Sequence, residues 1–223
     1  MKERPIIFSS ESVRAILELR KTQTRRVVKP NKKTEWLLCH DWVDEYIKDP
    51  DNYLVEECPY GKPGDTLWVR EKWRIVEWGE YPYRIEYADG TVLDEPGNSS
   101  DYDNDAYARL SEHCTKDCDN AGLDVDSEGY YILKDGVVPT GWRSPMYMPR
   151  WASRIALEIT DVRVDRLQDI TFRDLQAEAL GIQGELTKAM EEYIQIWDSL
   201  NSKRGYPWSN NPWVWCLTFK VTP

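Results

Sequence analysis

The chain lacks any run of eighteen apolar residues, and its first residues, MKERPIIFSSES, contain only a short apolar core. A helix that spans a membrane needs about twenty mostly apolar residues, and a secretory leader needs an apolar segment of roughly seven to fifteen. We therefore expect a cytoplasmic protein with no membrane partner. Hydrophobic and aromatic residues still make up 41% and 12% of the 223 positions, which is enough to build a buried core.

Cysteine is too scarce for a disulfide framework. The chain has five cysteines, an odd number, at positions 39, 58, 114, 118 and 216, and such thiols are typical of a reducing compartment. Only two histidines accompany them, and the paired CxxC spacing of zinc knuckles is absent. We expect no metal and no other cofactor.

Positive charge is in deficit over the whole chain but not at its start. The net charge is −10, yet residues 1 to 33 hold ten basic and three acidic side chains. From residue 77 to 135, by contrast, sixteen Asp and Glu face only four Lys and Arg. Affinity for a long phosphate chain requires clustered cations, so this balance favours a small ligand or one short nucleic-acid contact.

Apolar runs separated by turn residues predict a mixed fold in the first part of the chain. PIIF at residues 5 to 8 predicts a strand, and Ser9 and Ser10 are suitable N-caps for a helix that ends near Leu19. KTQTRRVV predicts the next strand, and the KPGD turn precedes another strand near residue 66.

The last third of the chain predicts two helices between strand segments. ALEITDVRV predicts one or two strands, and Thr171 with Asp174 forms a capping-box pattern for a helix through Leu180. The apolar stripe of residues 186 to 200 predicts a second, amphipathic helix. NPWVWCLTFKV, which is rich in aromatic and apolar residues, predicts a final strand.

Residues 77 to 141 differ in composition from the segments around them. They are acidic and rich in Tyr, Asp, Gly and Asn, and Asp89-Gly90 predicts a hairpin turn. Strands at this irregular spacing do not fit a doubly wound sheet. We predict one α+β domain over residues 1–223, a small mixed β-barrel with flanking helices and a long acidic insertion at about 77–141.

Lys21 and Thr24 lie three residues apart at the predicted junction between helix and strand. A threonine needs a neighbouring base to act as a nucleophile, and a lysine is that base only when its pKa is lowered. Arg20, Arg25 and Arg26, together with partial burial, disfavour the charged form of Lys21. The cluster predicts a catalytic pair, and a basic surface loop is the alternative.

Four segments in this order resemble the ASCH domain of the PUA-like superfamily, in particular the longer ASCH proteins of bacteriophages and prophages. The segments are ILELRKTQTRRVVKP, CPYGKPGDTLWVREKW, MPRWASRIALEITDVRVDRLQDI and WDSLNSKRGYPWSNNPWVW. The resemblance implies a PUA-like barrel that binds a modified nucleoside or RNA without an obligate protein partner. If the chain is encoded by a phage or prophage, the expected location is the cytoplasm of the bacterial host.

The resemblance also implies catalytic residues. A small bacterial ASCH enzyme hydrolyses the acetyl amide of N4-acetylcytidine with a Lys, a Thr and a Glu. Its G-R-K-T-x-T-x-R segment aligns with residues 19 to 26, which implies Lys21 as the base and Thr24 as the nucleophile. Its I-E-V-T strand aligns with LEIT at residues 157 to 160, which implies Glu158 as the third residue. This chain departs from the enzyme in its length, its insertion and at Leu19, which replaces the glycine.

Further residues near these motifs are candidates for ligand binding. Arginines at the junction are suited to an oxyanion or a phosphate, and aromatic side chains beside Arg70 and Glu71 are suited to stacking on bases. Core packing is the alternative for the tryptophans. The ligand-binding candidates are Arg20, Thr22, Arg25, Arg26, Arg70, Glu71 and Trp73.

Three functions follow from these residues together with what the resemblance implies. The first is an amidohydrolase that acts on N4-acetylcytidine or a related modified base through Lys21, Thr24 and Glu158. The second is a non-catalytic RNA-binding module, and the third is a ribonuclease that uses the same basic pocket.

Overall fold

The computed structural model describes residues 1–29, 53–77, 84–93, 104–132, 140–179 and 186–222. The strands in these ranges are β1 (Glu3–Ile7), β2 (Gln23–Val27), β3 (Thr66–Arg70), β4 (Trp73–Glu77), β5 (Arg84–Tyr87), β6 (Val92–Leu93), β7 (Ala156–Arg166) and β8 (Trp213–Thr222). The α-helices are α1 (Ser10–Leu17), α2 (Asn104–Asn120), α3 (Phe172–Ala177) and α4 (Leu186–Asn201). None of these helices is long and apolar enough to cross a membrane.

The α+β class is confirmed, but the closed barrel is wrong for the part of the chain that the structure describes. Five strands form one sheet in the order β1-β3-β7-β8-β2, and β4, β5 and β6 form a second sheet. The first sheet stays open because β1 and β2 lie at its two edges and do not pair with each other.

Strand β8 lies between β7 and β2 in the larger sheet, next to the segment that carries Lys21. It pairs antiparallel with β2 on one side and with β7 on the other. Thr24 lies opposite Leu217, and Arg25 lies opposite Cys216. A register shift between Ile159 and Asp161 interrupts the pairing of β7 with β8.

The chain divides into two compact units. The first consists of Met1–Arg4, Glu11–Leu67 and Ala156–Pro223, and the second consists of Pro5–Ser10 and Trp68–Ile155. The predicted acidic insertion falls within the second unit, although residues 78–83, 94–103 and 133–139 lie outside the described ranges.

The core of the first unit forms where α3 and α4 pack on the sheet. Because the apolar side chains of α4 recur at helical spacing, they form one stripe that is removed from water. Full burial of one large apolar side chain stabilises the fold by about 1.5–3 kcal/mol. The buried residues of this core are Leu167, Ile170, Leu175, Ala189, Tyr193, Trp197, Val214 and Cys216.

The second unit has a separate core beneath the three-stranded sheet. Its buried residues are Trp73, Ile75, Ile85, Tyr87, Cys114, Met148 and Ala152. The predicted Asp89-Gly90 hairpin is confirmed: β5 pairs antiparallel with β6, and Gly90 has a φ of +84° in the turn. Glycine adopts this conformation without the steric penalty of a Cβ atom.

Most predicted elements are confirmed, with shifts at their ends. The capping box of Thr171 and Asp174 is present, but α3 ends at Ala177, and Leu180 lies outside the described residues. Residues 156 to 166 form one long strand. Helix α2 was not predicted, because its mean composition is polar and the turn-forming residues around it dominate the local pattern.

Candidate functional site

A helix C-cap fixes the backbone that carries Lys21. The amide of Leu19 donates to the carbonyl of Ile16 at 2.9 Å, and the amide of Arg20 donates to the carbonyl of Ala15 at 2.8 Å. This pair of bonds is a Schellman motif, which requires a left-handed residue directly after the helix. Leu19 is that residue, with a φ of 57°. Glycine adopts this conformation without the steric penalty that leucine has here.

The next two residues are also held by their backbones. The amide of Lys21 donates to the carbonyl of Ala15 at 3.0 Å. The amide of Thr22 donates to the carbonyl of Ala177, and the carbonyl of Thr22 accepts from the amide of Phe219 at 2.9 Å. The segment that enters β2 is therefore fixed by α1, by the end of α3 and by β8.

The amine of Lys21 is buried and paired with a carboxylate. Only 6% of the residue is exposed, and its Nζ lies 2.5 Å from Oε2 of Glu178. Nζ also donates to the backbone carbonyl of Glu178 at 3.3 Å. Burial lowers the pKa of Lys21, and the charges of Arg26 and Arg25 lower it further, while the charge of Glu178 opposes the shift.

Glu178 joins Lys21 to a second buried cation. Its Oε1 lies 3.3 Å from Nη1 of Arg25, and the same Nη1 donates to Oε1 of Gln23 at 2.6 Å. The side-chain amide of Gln23 in turn donates through Nε2 to the hydroxyl of Thr218 at 3.5 Å. One carboxylate is thus shared by two cations, so loss of its charge affects both Lys21 and Arg25.

Asp174 extends this network along the sheet. Its Oδ2 lies 3.1 Å from Nη2 of Arg25, and its Oδ1 accepts from Nη2 of Arg163 at 2.6 Å. Arg163 also donates through Nε to Asp165 at 2.7 Å. Burial alone raises the pKa of Asp174, but hydrogen bonds from Thr171 and the two cations outweigh it and hold the pKa well below its usual range.

The predicted nucleophile Thr24 lies on a different face of β2 from this network. Alternate side chains of a strand point to opposite sides of the sheet, so Thr24 and its partner Leu217 face away from Gln23 and Arg25. Thr24 is 4% exposed. The structure brings Lys21 together with Glu178 and not with the hydroxyl of Thr24.

The predicted third residue, Glu158, forms a different ion pair. It lies opposite Lys220 in the β7–β8 register, and its Oε2 is 3.0 Å from the Lys220 amine. Lys220 and Thr218 are two residues apart on β8, so Glu158 shares a sheet face with Gln23. Its carboxylate is half-buried and is held by Lys220.

The other candidates at the junction differ in burial. Arg20 is exposed and pairs with Glu18, and Thr22 is exposed beside it. Arg25 is buried within the network, whereas Arg26 is half-buried and lies opposite Trp215. Arg20 and Thr22 are therefore the two candidates of this group whose side chains solvent reaches most readily.

Arg70, Glu71 and Trp73 lie in the second unit. Glu71 is buried and accepts two hydrogen bonds of 2.9 Å from Arg154. Trp73 is 1% exposed and belongs to the core of that unit. Arg70 is half-buried, with its guanidinium 4.6 Å from the centre of the Trp68 ring. The structure therefore gives Glu71 an ion pair and Trp73 a packing environment.

Glu178 is the functional candidate that the sequence did not reveal. It lies one residue after the end of α3, far in sequence from Lys21, and no local motif surrounds it. The nearest local signal was the capping box, which fixes where α3 begins but not where it ends. Among the described residues, no group of three or more His, Cys, Asp or Glu side chains is arranged to hold a metal ion.

Comparison with known proteins does not assign the chain to a family. None of the family models, curated proteins or solved structures compared with the chain matches it.

Proposed function

We propose that the chain is an ASCH-type protein with a PUA-like fold that binds a modified nucleoside or RNA and hydrolyses an amide on the base. N4-acetylcytidine is the substrate to test first. The observation that carries this proposal is the buried Lys21 amine with its lowered pKa, held by Glu178 at 2.5 Å. A lysine that loses its proton more readily than usual is suited to general base catalysis.

The proposed reaction has two steps. Thr24 attacks the acetyl carbonyl carbon, Lys21 takes the hydroxyl proton, and the amide C–N bond breaks as Lys21 returns that proton to the leaving amine. Water then hydrolyses the threonine ester and releases acetate. Cationic side chains or backbone amides at the junction stabilise the oxyanion in both steps.

This mechanism requires the Lys21 amine to turn from Glu178 towards Thr24 when the substrate binds. Thr24 lies on the opposite face of β2 from Arg25, whereas the amine now lies beside the carboxylate that Arg25 shares. Lysine has a long side chain with several rotatable bonds, and in this mechanism they carry the amine away from Glu178 when the substrate binds.

Isosteric variants test the proposal directly. We expect Lys21→Met and Thr24→Val each to lower the rate of N4-acetylcytidine hydrolysis by about a hundredfold or more. Lys188→Met and Thr187→Val make the same chemical changes at exposed positions of α4 and serve as controls. If both site variants fold and hydrolyse the nucleoside as fast as the controls, the proposal is wrong.

The pH profile separates Glu158 and Glu178, the two carboxylates that compete for the role of orienting the Lys21 amine. The charge of Glu178 raises the pKa of Lys21, so Glu178→Gln should lower that pKa and move the rise of kcat/KM to lower pH. We expect Glu158→Gln, which loses an ion pair with Lys220 instead, to leave the profile in place. The reverse outcome would assign the role to Glu158, as the resemblance implies.

A non-catalytic RNA-binding module is the second candidate. It is favoured by the close ion pairs around Glu178, because a buried and paired lysine is also what a purely structural network contains. Salt-dependent RNA binding with no turnover of N4-acetylcytidine at any pH would support the module over the hydrolase.

A further inference from the structure

A row of cations runs along one side of the chain where β3 ends and β4 begins. Arg70, Lys72 and Arg74 alternate with buried residues, and each of the three is half-buried or exposed. Alternate residues of extended chain lie about 6.7 Å apart on one side. Lys72 and Arg74 contact the exposed Trp142, whereas Arg70 lies over Trp68 and continues the row; we call Arg70, Lys72, Arg74 and Trp142 together the Trp142 surface.

Two of the cations lie over the Trp142 ring. The amine of Lys72 is 5.4 Å from the ring centre, and the guanidinium of Arg74 is 4.6 Å from it. Trp142 is nevertheless 40% exposed. The surface therefore offers an accessible aromatic side chain directly beside two positive charges.

The charges of this surface are only partly compensated. Arg74 pairs with Glu86 at 2.5 Å, whereas Arg70 donates to the uncharged backbone carbonyl of Met146. Within the ranges that the structure describes, no carboxylate forms an ion pair with Lys72 or Arg70. The nearby acids Glu71 and Asp89 are instead both paired with Arg154.

We propose that the Trp142 surface binds a short stretch of single-stranded nucleic acid, with phosphates on Arg70 and Lys72 and a base against Trp142. A row of cations follows a sugar-phosphate backbone, and an exposed indole stacks on any base without sequence preference. The strongly acidic composition of the rest of the chain limits the contact to about two or three nucleotides, with one phosphate on each of Arg70 and Lys72. The proposal goes beyond the hydrolase, since every residue of this surface lies in the second unit and none belongs to the Lys21 network.

An anisotropy titration with a fluorescein-labelled eight-nucleotide single-stranded RNA tests this proposal. We expect Lys72→Glu and Trp142→Leu each to weaken binding about tenfold. Lys188→Glu and Tyr130→Leu make equivalent changes at exposed positions outside the surface and should bind as the unchanged chain does. Lys72→Glu should also reduce the slope of log affinity against log salt by about 0.7. Thermal unfolding of each variant establishes that it is folded.

Three results would overturn the proposal. One is equal affinity of the surface variants and their controls. Another is equally tight binding of the RNA duplex or of polyglutamate with no effect of Trp142→Leu, which would point to a polyanion or an acidic protein. The third is no binding of the single strand at low salt. Because this assay needs no turnover, a chain that binds RNA through Trp142 but leaves N4-acetylcytidine intact would refute only the hydrolase.

Discussion

Asp174 gives the most direct test of the buried charge network. It caps α3 through Thr171 and also holds Arg163 and Arg25. Asp174→Asn keeps an oxygen for the Thr171 amide but removes the charge, and a hydrogen bond to a charged group contributes about 1.5–3 kcal/mol. We expect the free energy of unfolding to fall by about 2 kcal/mol. Asp174→Ala also removes the capping box, which is worth about 1 kcal/mol, so its expected loss is about 3 kcal/mol.

The pH dependence of this difference is a second readout. The folded-state pKa of Asp174 is held below its usual range, so its charge contributes stability above the unfolded pKa of about 3.9. That contribution is lost as the pH falls through the folded pKa. In urea unfolding, the difference in the free energy of unfolding between the unchanged chain and Asp174→Asn should therefore have its full value at pH 7. It should become progressively smaller below about pH 4.

Asp169→Asn provides the control, since Asp169 is exposed three residues before α3. Its expected effect is within about 0.5 kcal/mol. If Asp174→Asn were no more destabilising than this control at pH 7, the reasoning about the network would be refuted, and Arg25 would have to be stabilised by other groups.

Two further pairs of variants test single contacts. Tyr87→Phe should cost about 1 kcal/mol in urea unfolding, because the buried Tyr87 hydroxyl donates to Ala152 at 2.8 Å. The buried hydroxyl of Tyr193 has no hydrogen-bond partner among the described residues, so Tyr193→Phe should cost less stability than Tyr87→Phe. An equal loss in the two variants would contradict the contribution assigned to the Tyr87 hydrogen bond. Leu19→Gly should raise stability by up to about 1 kcal/mol, since a left-handed leucine is strained. Leu17→Gly, at the last residue of α1, should instead lower stability by up to about 1 kcal/mol in the same assay, and a loss of stability in both variants would argue against strain at Leu19.

Local sequence signals predicted elements better than they predicted the arrangement of strands. Thr171 with Asp174 identified a helix start, and Asp89-Gly90 identified a hairpin, because each depends on contacts between residues close in sequence. For the residues that the structure describes, the barrel was wrong, because closure depends on which edge strands meet. Those partners are separated by many residues, and alternation of apolar side chains does not specify them.

The candidate site shows the same division. The sequence identified Lys21 and the arginines around it, and burial with cationic neighbours lowers the lysine pKa in the direction that the composition predicted. It did not identify Glu178, because that carboxylate reaches Lys21 only where the end of α3 lies against the entry to β2. Whether Thr24 and Glu158 take part in catalysis stays a prediction.

By itself, the sequence determined the helices and strands with strong local patterns, the scarcity of disulfide and metal motifs, and the basic segment that contains Lys21. Only the tertiary structure decided that Lys21 pairs with Glu178, that Glu158 pairs with Lys220, and that Trp142 lies beside Lys72 and Arg74. The physical reason is the separation in sequence over which each interaction acts. Propensity, capping and turn formation act over a few residues, whereas an ion pair or a ring contact depends on side chains that the fold brings together from distant parts of the chain.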